Sequence, residues 1–128
     1  MKLLLDTHTF VWSVLNTGRL SSTARDAITS ADNTMHVSIA SAWEIAIKVG
    51  QGKWPEAHGL IHEFEHHVDR AGFELLPISL AHVRTAGLMK SPHRDPFDRL
   101  LAEQALTEVL TLVTADTKLV TLGAPCLW

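Results

Sequence analysis

Short apolar runs separated by segments of helical period recur along the whole chain. Leu3-Leu4-Leu5 predicts a buried strand over Lys2–Leu5, and Thr7 to about Leu15 reads as a helix, with Gly18 ending that unit. Ser22 is placed to cap a helix running to about Ala31, and Met35-His36-Val37-Ser38-Ile39 gives the second strand. Ser41 then opens a helix to about Val49 through a capping box, Ser41-x-x-Glu44. Gly50, Gly52 and Pro55 mark a loop. One helix is expected from about Pro55 to Ala71, stopped by Gly72. Phe73–Ile78 reads as a third strand, and Ser79 as the cap of a helix to about Met89. After the loop Ser91-Pro92-His93-Arg94, Asp95-Pro96 starts another helix with a cap and a proline at the first helical position. Leu110–Val113 is the fourth strand, and Leu119–Leu122 the candidate for a short fifth.

Strands alternate with helices throughout, and the strands are apolar without clear alternation. Both traits indicate a sheet buried on its two faces. The expected fold is α/β: a three-layer α/β/α sandwich around a four- to five-stranded, mainly parallel sheet. The 128 residues contain no repeat or linker and predict one domain over 1–128. With 46% hydrophobic and 20% charged residues the composition is that of an ordinary globular protein.

Charge changes this picture little. A net charge of −3 leaves no basic footprint, which counts mildly against nucleic-acid binding. A cluster of four carboxylates would nevertheless supply more than that total, and one divalent ion would return it to about −1. Cys126 is the only cysteine, so no internal disulfide forms; among apolar neighbours it reads as a buried structural thiol in a reducing compartment. The N-terminal apolar run stops at Asp6, and no stretch approaches the ~20 residues of a membrane span. The expectation is a cytoplasmic protein without membrane association.

The candidate chemistry lies where strands hand over to helices. Asp6 closes the first strand, Glu44 lies in Ser41-Ala42-Trp43-Glu44-Ile45, Asp95 and Asp98 in Asp95-Pro96-Phe97-Asp98, and Asp116 in Thr114-Ala115-Asp116. In an open parallel sheet the carboxyl ends of the strands form the ligand crevice. Carboxylates gathered there repel unless a cation joins them, which suits Mg²⁺ or Mn²⁺ and phosphodiester hydrolysis. Helix capping is a sufficient account of each acid taken singly. Asp98 differs, because it shares a helical stripe with Ala102, Ala105 and Val109, flanked by Leu101 and Leu106, while Arg99, Glu103 and Thr107 face away. A carboxylate on an apolar face needs a metal or a cationic partner. Glu44 stands in an almost wholly apolar helix with Lys48 one turn on; the two can form a simple ion pair, or Glu44 can ligate a metal while Lys48 meets substrate phosphate. Asp98 is preferred as ligand and Asp95 as cap.

Leu4-Leu5-Asp6-Thr7-His8, Ser41-x-Trp43-Glu44-Ile45-x-Ile47-Lys48, His93-Arg94-Asp95-Pro96-Phe97-Asp98-Arg99-Leu100-Leu101-Ala102 and Thr114-x-Asp116 together resemble the PIN-domain family, and within it the VapC-like toxin ribonucleases. The resemblance spans almost the whole chain. It implies a metal-dependent endoribonuclease, the toxin of a toxin–antitoxin pair, with Asp6, Glu44, Asp98 and Asp116 as catalytic and metal-binding acids for Mg²⁺ or Mn²⁺. Asp95 is a further possible ligand. Thr114 matches the small hydroxyl beside the last acid and is grouped with Lys48, Arg94 and Arg99 as substrate-binding candidates. The resemblance also implies an RNA substrate, a cognate antitoxin protein and a homodimer.

Three other readings compete. His62-Glu63-Phe64-Glu65-His66 satisfies the zinc-protease pattern, but Leu60, Ile61, Phe64, Val68 and Ala71 form the apolar face and both histidines lie opposite it. An Asp-x-Asp phosphatase is excluded at the first strand, where His8 occupies the second position and reads as a packing or hydrogen-bonding residue. A PIN-like RNA- or protein-binding module without catalysis is the alternative of a different class, and the presence of all four matched acids argues against it. Of four tryptophans, Trp54, between Lys53 and Pro55, is the one placed for RNA or partner contact.

Overall fold

A computed structural model describes residues 1–128. The chain runs β1 (Lys2–Leu5), α1 (Thr7–Leu15), α2 (Ser22–Thr29), β2 (Thr34–Ser38), α3 (Ile39–Gly50), a 3₁₀ turn (Pro55–Ala57), α4 (His58–His62), α5 (Phe64–Ala71), β3 (Glu74–Leu76), α6 (Leu80–Leu88), α7 (Pro96–Thr107), β4 (Thr111–Val113), α8 (Thr117–Val120) and β5 (Cys126–Leu127). The five strands form one sheet in the order β3-β2-β1-β4-β5, and every pairing is parallel.

The leucines of β1 explain why this strand is central. Leu3 and Leu5 enter one apolar cluster with Phe10 and Val11 of α1, Ile45 of α3 and Phe64 of α5. Leu4 points the other way, into a cluster with Leu101 and Ala105 of α7, Leu112 of β4 and Leu119 of α8. Side chains alternate across a strand, so an unbroken apolar run is what two covered faces require. The result is the expected three-layer sandwich.

Chain order reverses at β1: β2 and β3 lie on one side of it, β4 and β5 on the other. The registers Leu5↔Val37 and Leu5↔Val113 bring the ends of all three central strands to one edge. Such a switch point opens a crevice at the carboxyl ends of the strands.

Four local expectations are corrected. The helix after β2 starts at Ile39, with Ser38 as its cap accepting from the Ala40 N–H at 3.0 Å. The strand therefore enters the helix without a linker, and Ser41 lies inside the helix, where its hydroxyl accepts from Thr7 at 3.0 Å. The expected box of Ser41 and Glu44 does not form. The single helix over 55–71 is broken at Glu63 (φ −122°, ψ 38°), in a stretch weakened by Gly59 and by His58, His62, His66 and His67, which are indifferent helix formers. Leu119–Leu122 is not a strand; Asp116 caps a helical turn there, and β5 follows at Cys126–Leu127 after Gly123 and Pro125. Four apolar residues do not distinguish a strand from a helical turn. Finally, α7 buries Glu103 and Gln104 and exposes Leu106, and Val109, two residues past its end, is exposed as well. Gln104 accepts the Ser38 hydroxyl at 2.5 Å and donates to the Pro77 carbonyl at 3.3 Å, so this helix is clasped on more sides than one apolar stripe allows for.

Candidate metal-binding and catalytic site

Three of the acids at the carboxyl edge, Asp6, Asp95 and Asp116, are positioned as caps by the turn that leaves a strand or starts a helix. Asp6 follows β1 and caps α1, accepting from the Thr9 N–H at 2.7 Å. Its other oxygen accepts the Thr114 hydroxyl. Thr114 stands beside it because β1 and β4 are paired to their last residues, with the Asp6 N–H donating to the Val113 carbonyl at 3.2 Å. The Thr114 hydroxyl in turn accepts from the Asp116 N–H at 3.0 Å. Asp116 caps α8 through the Lys118 N–H at 2.9 Å, and Asp95 caps α7 through the N–H groups of Phe97 and Asp98 at 2.9 and 3.3 Å.

Glu44 and Asp98 are not caps. Glu44, only 6% exposed, sits in the second turn of α3 and pairs with Lys48 at 2.8 Å. Asp98 lies in the first turn of α7, half-buried, with His93 Nε2 at 2.8 Å from its carboxylate. Burial pushes the Asp98 carboxyl from 3.8 up to about 6; the hydrogen bond with His93 partly opposes this, and the charges of Asp95 and Asp116 reinforce it.

Asp6, Glu44, Asp95, Asp98 and Asp116 line one cleft of about 90 Å³ together with Thr7, His8 and Lys48. No apolar side chain lines it. The donors are oxygens, the chemistry that suits a hard divalent cation such as Mg²⁺ or Mn²⁺. Burial is the main cause of the raised Asp98 carboxyl, with Asp95 and Asp116 adding to it, and a cation in the cleft would favour its charged form. No three His, Cys, Asp or Glu side chains already form a closed ligand group. Each acid is held by a donor of the protein instead, so closing a ligand set calls for carboxylate rotation within the cleft.

The remaining sequence candidates are placed unevenly. Lys48 reaches the cleft. Thr114 is buried behind Asp6 and positions it. Arg94 and Arg99 line a separate hollow with Val83, Ala86 and Pro96, and Arg99 donates to the Met89 carbonyl, so neither is brought to the acids. Trp54 is not a free loop residue; it is 8% exposed and packs in the core beneath His8. His62 and His66 are exposed, lie on different helices and belong to no ligand group. Cys126 is a half-buried thiol whose ionisation is held back by burial and by Asp6.

Two supporting residues escaped the sequence reading. His93 was read as a loop residue and as the start of the stretch that runs to Ala102, with no role of its own, although its place five residues before Asp98 was a usable signal. Thr7 left no signal, because its hydroxyl serves to tie α1 to Ser41 across 34 residues.

The family model of the PIN domain matches residues 3–124. Among curated proteins none matches the chain. Solved structures that resemble it include VapBC2 from Rickettsia felis bound to a DNA fragment from its promoter, with a TM-score of 0.66 and 20% identity, covering 99% of this chain and 98% of that one. FitAcB from Neisseria gonorrhoeae gives a TM-score of 0.66 at 16% identity over 100% and 97% of the two chains. VapBC-1 from nontypeable Haemophilus influenzae gives 0.60 at 14% over 99% and 97%. At these identities the likeness is one of fold.

Proposed function

The chain belongs to the PIN-domain family, and from that premise we propose that it is a metal-dependent endoribonuclease, the toxin of a toxin–antitoxin pair, acting as a single domain. The observation that carries this reading is the gathering of Asp6, Glu44, Asp95, Asp98 and Asp116 in one cleft without apolar lining at the switch point of the sheet. The fold shared with VapBC2, VapBC-1 and FitAcB supports the toxin assignment.

Asp6, Glu44, Asp98 and Asp116 would hold the ion. The chemistry Mg²⁺ or Mn²⁺ would supply when held there is activation of water and neutralisation of charge on the phosphate and leaving oxygen. The protein's own residues set the stage for that chemistry. The Thr9 N–H and the Thr114 hydroxyl fix the two oxygens of Asp6. Lys48 offsets the buried charge of Glu44 and presents an ammonium to substrate phosphate at the cleft mouth. His93 holds the Asp98 carboxylate in place through its Nε2. Asp95 acts as the cap that starts α7 and thereby aims Asp98.

The antitoxin and a second copy of the chain are the proposed protein partners, with exposed Trp43, Leu80 and Leu88 offering apolar surface for them. No helix is long and apolar enough to cross a membrane, and a cytoplasmic location is proposed. The test is cleavage of single-stranded and structured RNA by the purified chain with Mg²⁺ or Mn²⁺. Cleavage that EDTA abolishes supports the reading. RNA binding without cleavage at any metal concentration would favour the non-catalytic module.

A further inference from the structure

Beside the acidic cleft lies a second, wider groove of about 480 Å³, and the two share His8 and Lys48. The charge reverses between them. The cleft carries five acids, whereas the groove presents Arg19, Lys48 and Lys53 against Glu56 alone. Its wall is aromatic: the His8 ring lies 5.0 Å from Trp54 and 5.7 Å from Trp12, centroid to centroid. Lys48 lies over Trp54 at 5.4 Å and Arg19 over Trp12 at 5.8 Å. Trp54 is buried and Trp12 half-buried, so these rings act as a backing that holds His8, which is itself exposed at the junction.

A supported, exposed ring flanked by cations has the makings of a nucleotide platform, since bases stack on rings without regard to sequence while cations follow the backbone. Resting on the nuclease reading above, we propose that the groove holds the single RNA strand next to the cut, with a base stacked on His8 and flanking phosphates on Arg19 and Lys53. The scissile phosphate would then lie in the acidic cleft, with Lys48 between the two. A duplex keeps its bases stacked on one another and cannot offer one to His8, so the groove selects unpaired RNA. A peptide segment is the less favoured occupant, because Val11 and Leu15 are the only aliphatic residues in the wall and three cations line it.

The test is titration of the intact protein, in EDTA, with a short mixed-sequence oligoribonucleotide, single-stranded or annealed to its complement, followed by tryptophan fluorescence. The single strand should bind and quench, and the duplex should bind more weakly. His8→Ala should weaken binding about tenfold and His8→Phe should restore it. Lys53→Glu should weaken binding and flatten its dependence on salt by about one ion. In cleavage assays with metal, His8→Ala should raise KM more than it lowers kcat. Unchanged affinity in His8→Ala and Lys53→Glu, with cleavage intact in the wild type, overturns the groove and leaves the nuclease standing. Failure to bind any RNA also overturns it; metal-dependent cleavage in parallel then decides whether the nuclease reading falls with it.

Discussion

Thr114 donates its hydroxyl proton to the Asp6 carboxylate across 108 residues of chain. The same hydroxyl accepts the Asp116 N–H, so one buried atom keys the acid at the end of β1 to the acid at the end of β4.

Thr114→Val should therefore cost more than a methyl-for-hydroxyl swap suggests. It leaves the Asp116 N–H without its acceptor and one Asp6 oxygen without its donor. The expected loss of stability is about 1–3 kcal/mol, with weaker divalent-ion binding, and Thr114→Ser should retain most of both. Chemical denaturation and metal titration of the two variants measure this.

The elevated Asp98 carboxyl gives the fold a pH signature. A carboxyl whose folded pKa lies above its unfolded value stabilises the protein below the unfolded pKa, and that contribution is lost as pH rises through the folded one. Metal-free protein should thus lose stability between the ordinary 3.8 and about 6, by at most about 3 kcal/mol. Asp98→Asn should remove this component of the pH dependence, as seen by thermal melts across the range. Divalent-ion affinity should run the other way and fall as acid protonates Asp98.

Lys48 neutralises a carboxylate that is almost fully buried. Lys48→Met leaves Glu44 with an uncompensated charge and should destabilise the protein by about 1–2 kcal/mol, below the value for a fully buried pair because Lys48 is partly exposed. Adding Glu44→Gln should recover most of that loss. A double-mutant cycle in which the losses simply add would show that the pair is not coupled.

Val109 ends α7 in the left-handed region at φ 56°, with its side chain 83% exposed. The Leu110 N–H bonds back to the Ala105 carbonyl at 2.8 Å, the helix-stop pattern that favours glycine. Val109→Gly should stabilise the protein by about 1 kcal/mol, raising Tm by roughly 3–5 °C. An unchanged or lower Tm would remove strain at this cap from the account.

The sheet was legible because its central strand is apolar on both faces, and the acids because Asp6, Asp95, Asp98 and Asp116 stand at strand ends or helix starts and Glu44 interrupts an otherwise apolar helix. Other features arise only in three dimensions. The capping box assigned to Ser41 and Glu44 followed the sequence pattern correctly, but Ser38 stands nearer the strand end and takes the cap. That displacement removes the ordinary explanation for Glu44 and leaves its burial to Lys48 and the cleft. Arg94 and Arg99 lie among the acids in sequence but turn away in space, since α7 presents Asp98 to the cleft and Arg99 to the Met89 carbonyl. His8 reads as a packing residue on the chain, and only the fold sets it at the join of an acidic and a basic surface.

The most direct test of the acidic cleft is single-turnover RNA cleavage by Asp6→Asn and Asp95→Asn side by side, each first shown to be folded. Asp6 faces the cleft as a proposed ligand, so its loss should slow cleavage at least about 100-fold, beyond what loss of a supporting partner costs. Asp95 is the α7 cap, and Asp95→Asn keeps a good capping side chain, so its rate should stay within a few-fold of wild type. Equal rates for wild type and Asp6→Asn, or cleavage indifferent to EDTA, would contradict the assignment of this cleft as a metal-dependent nuclease site.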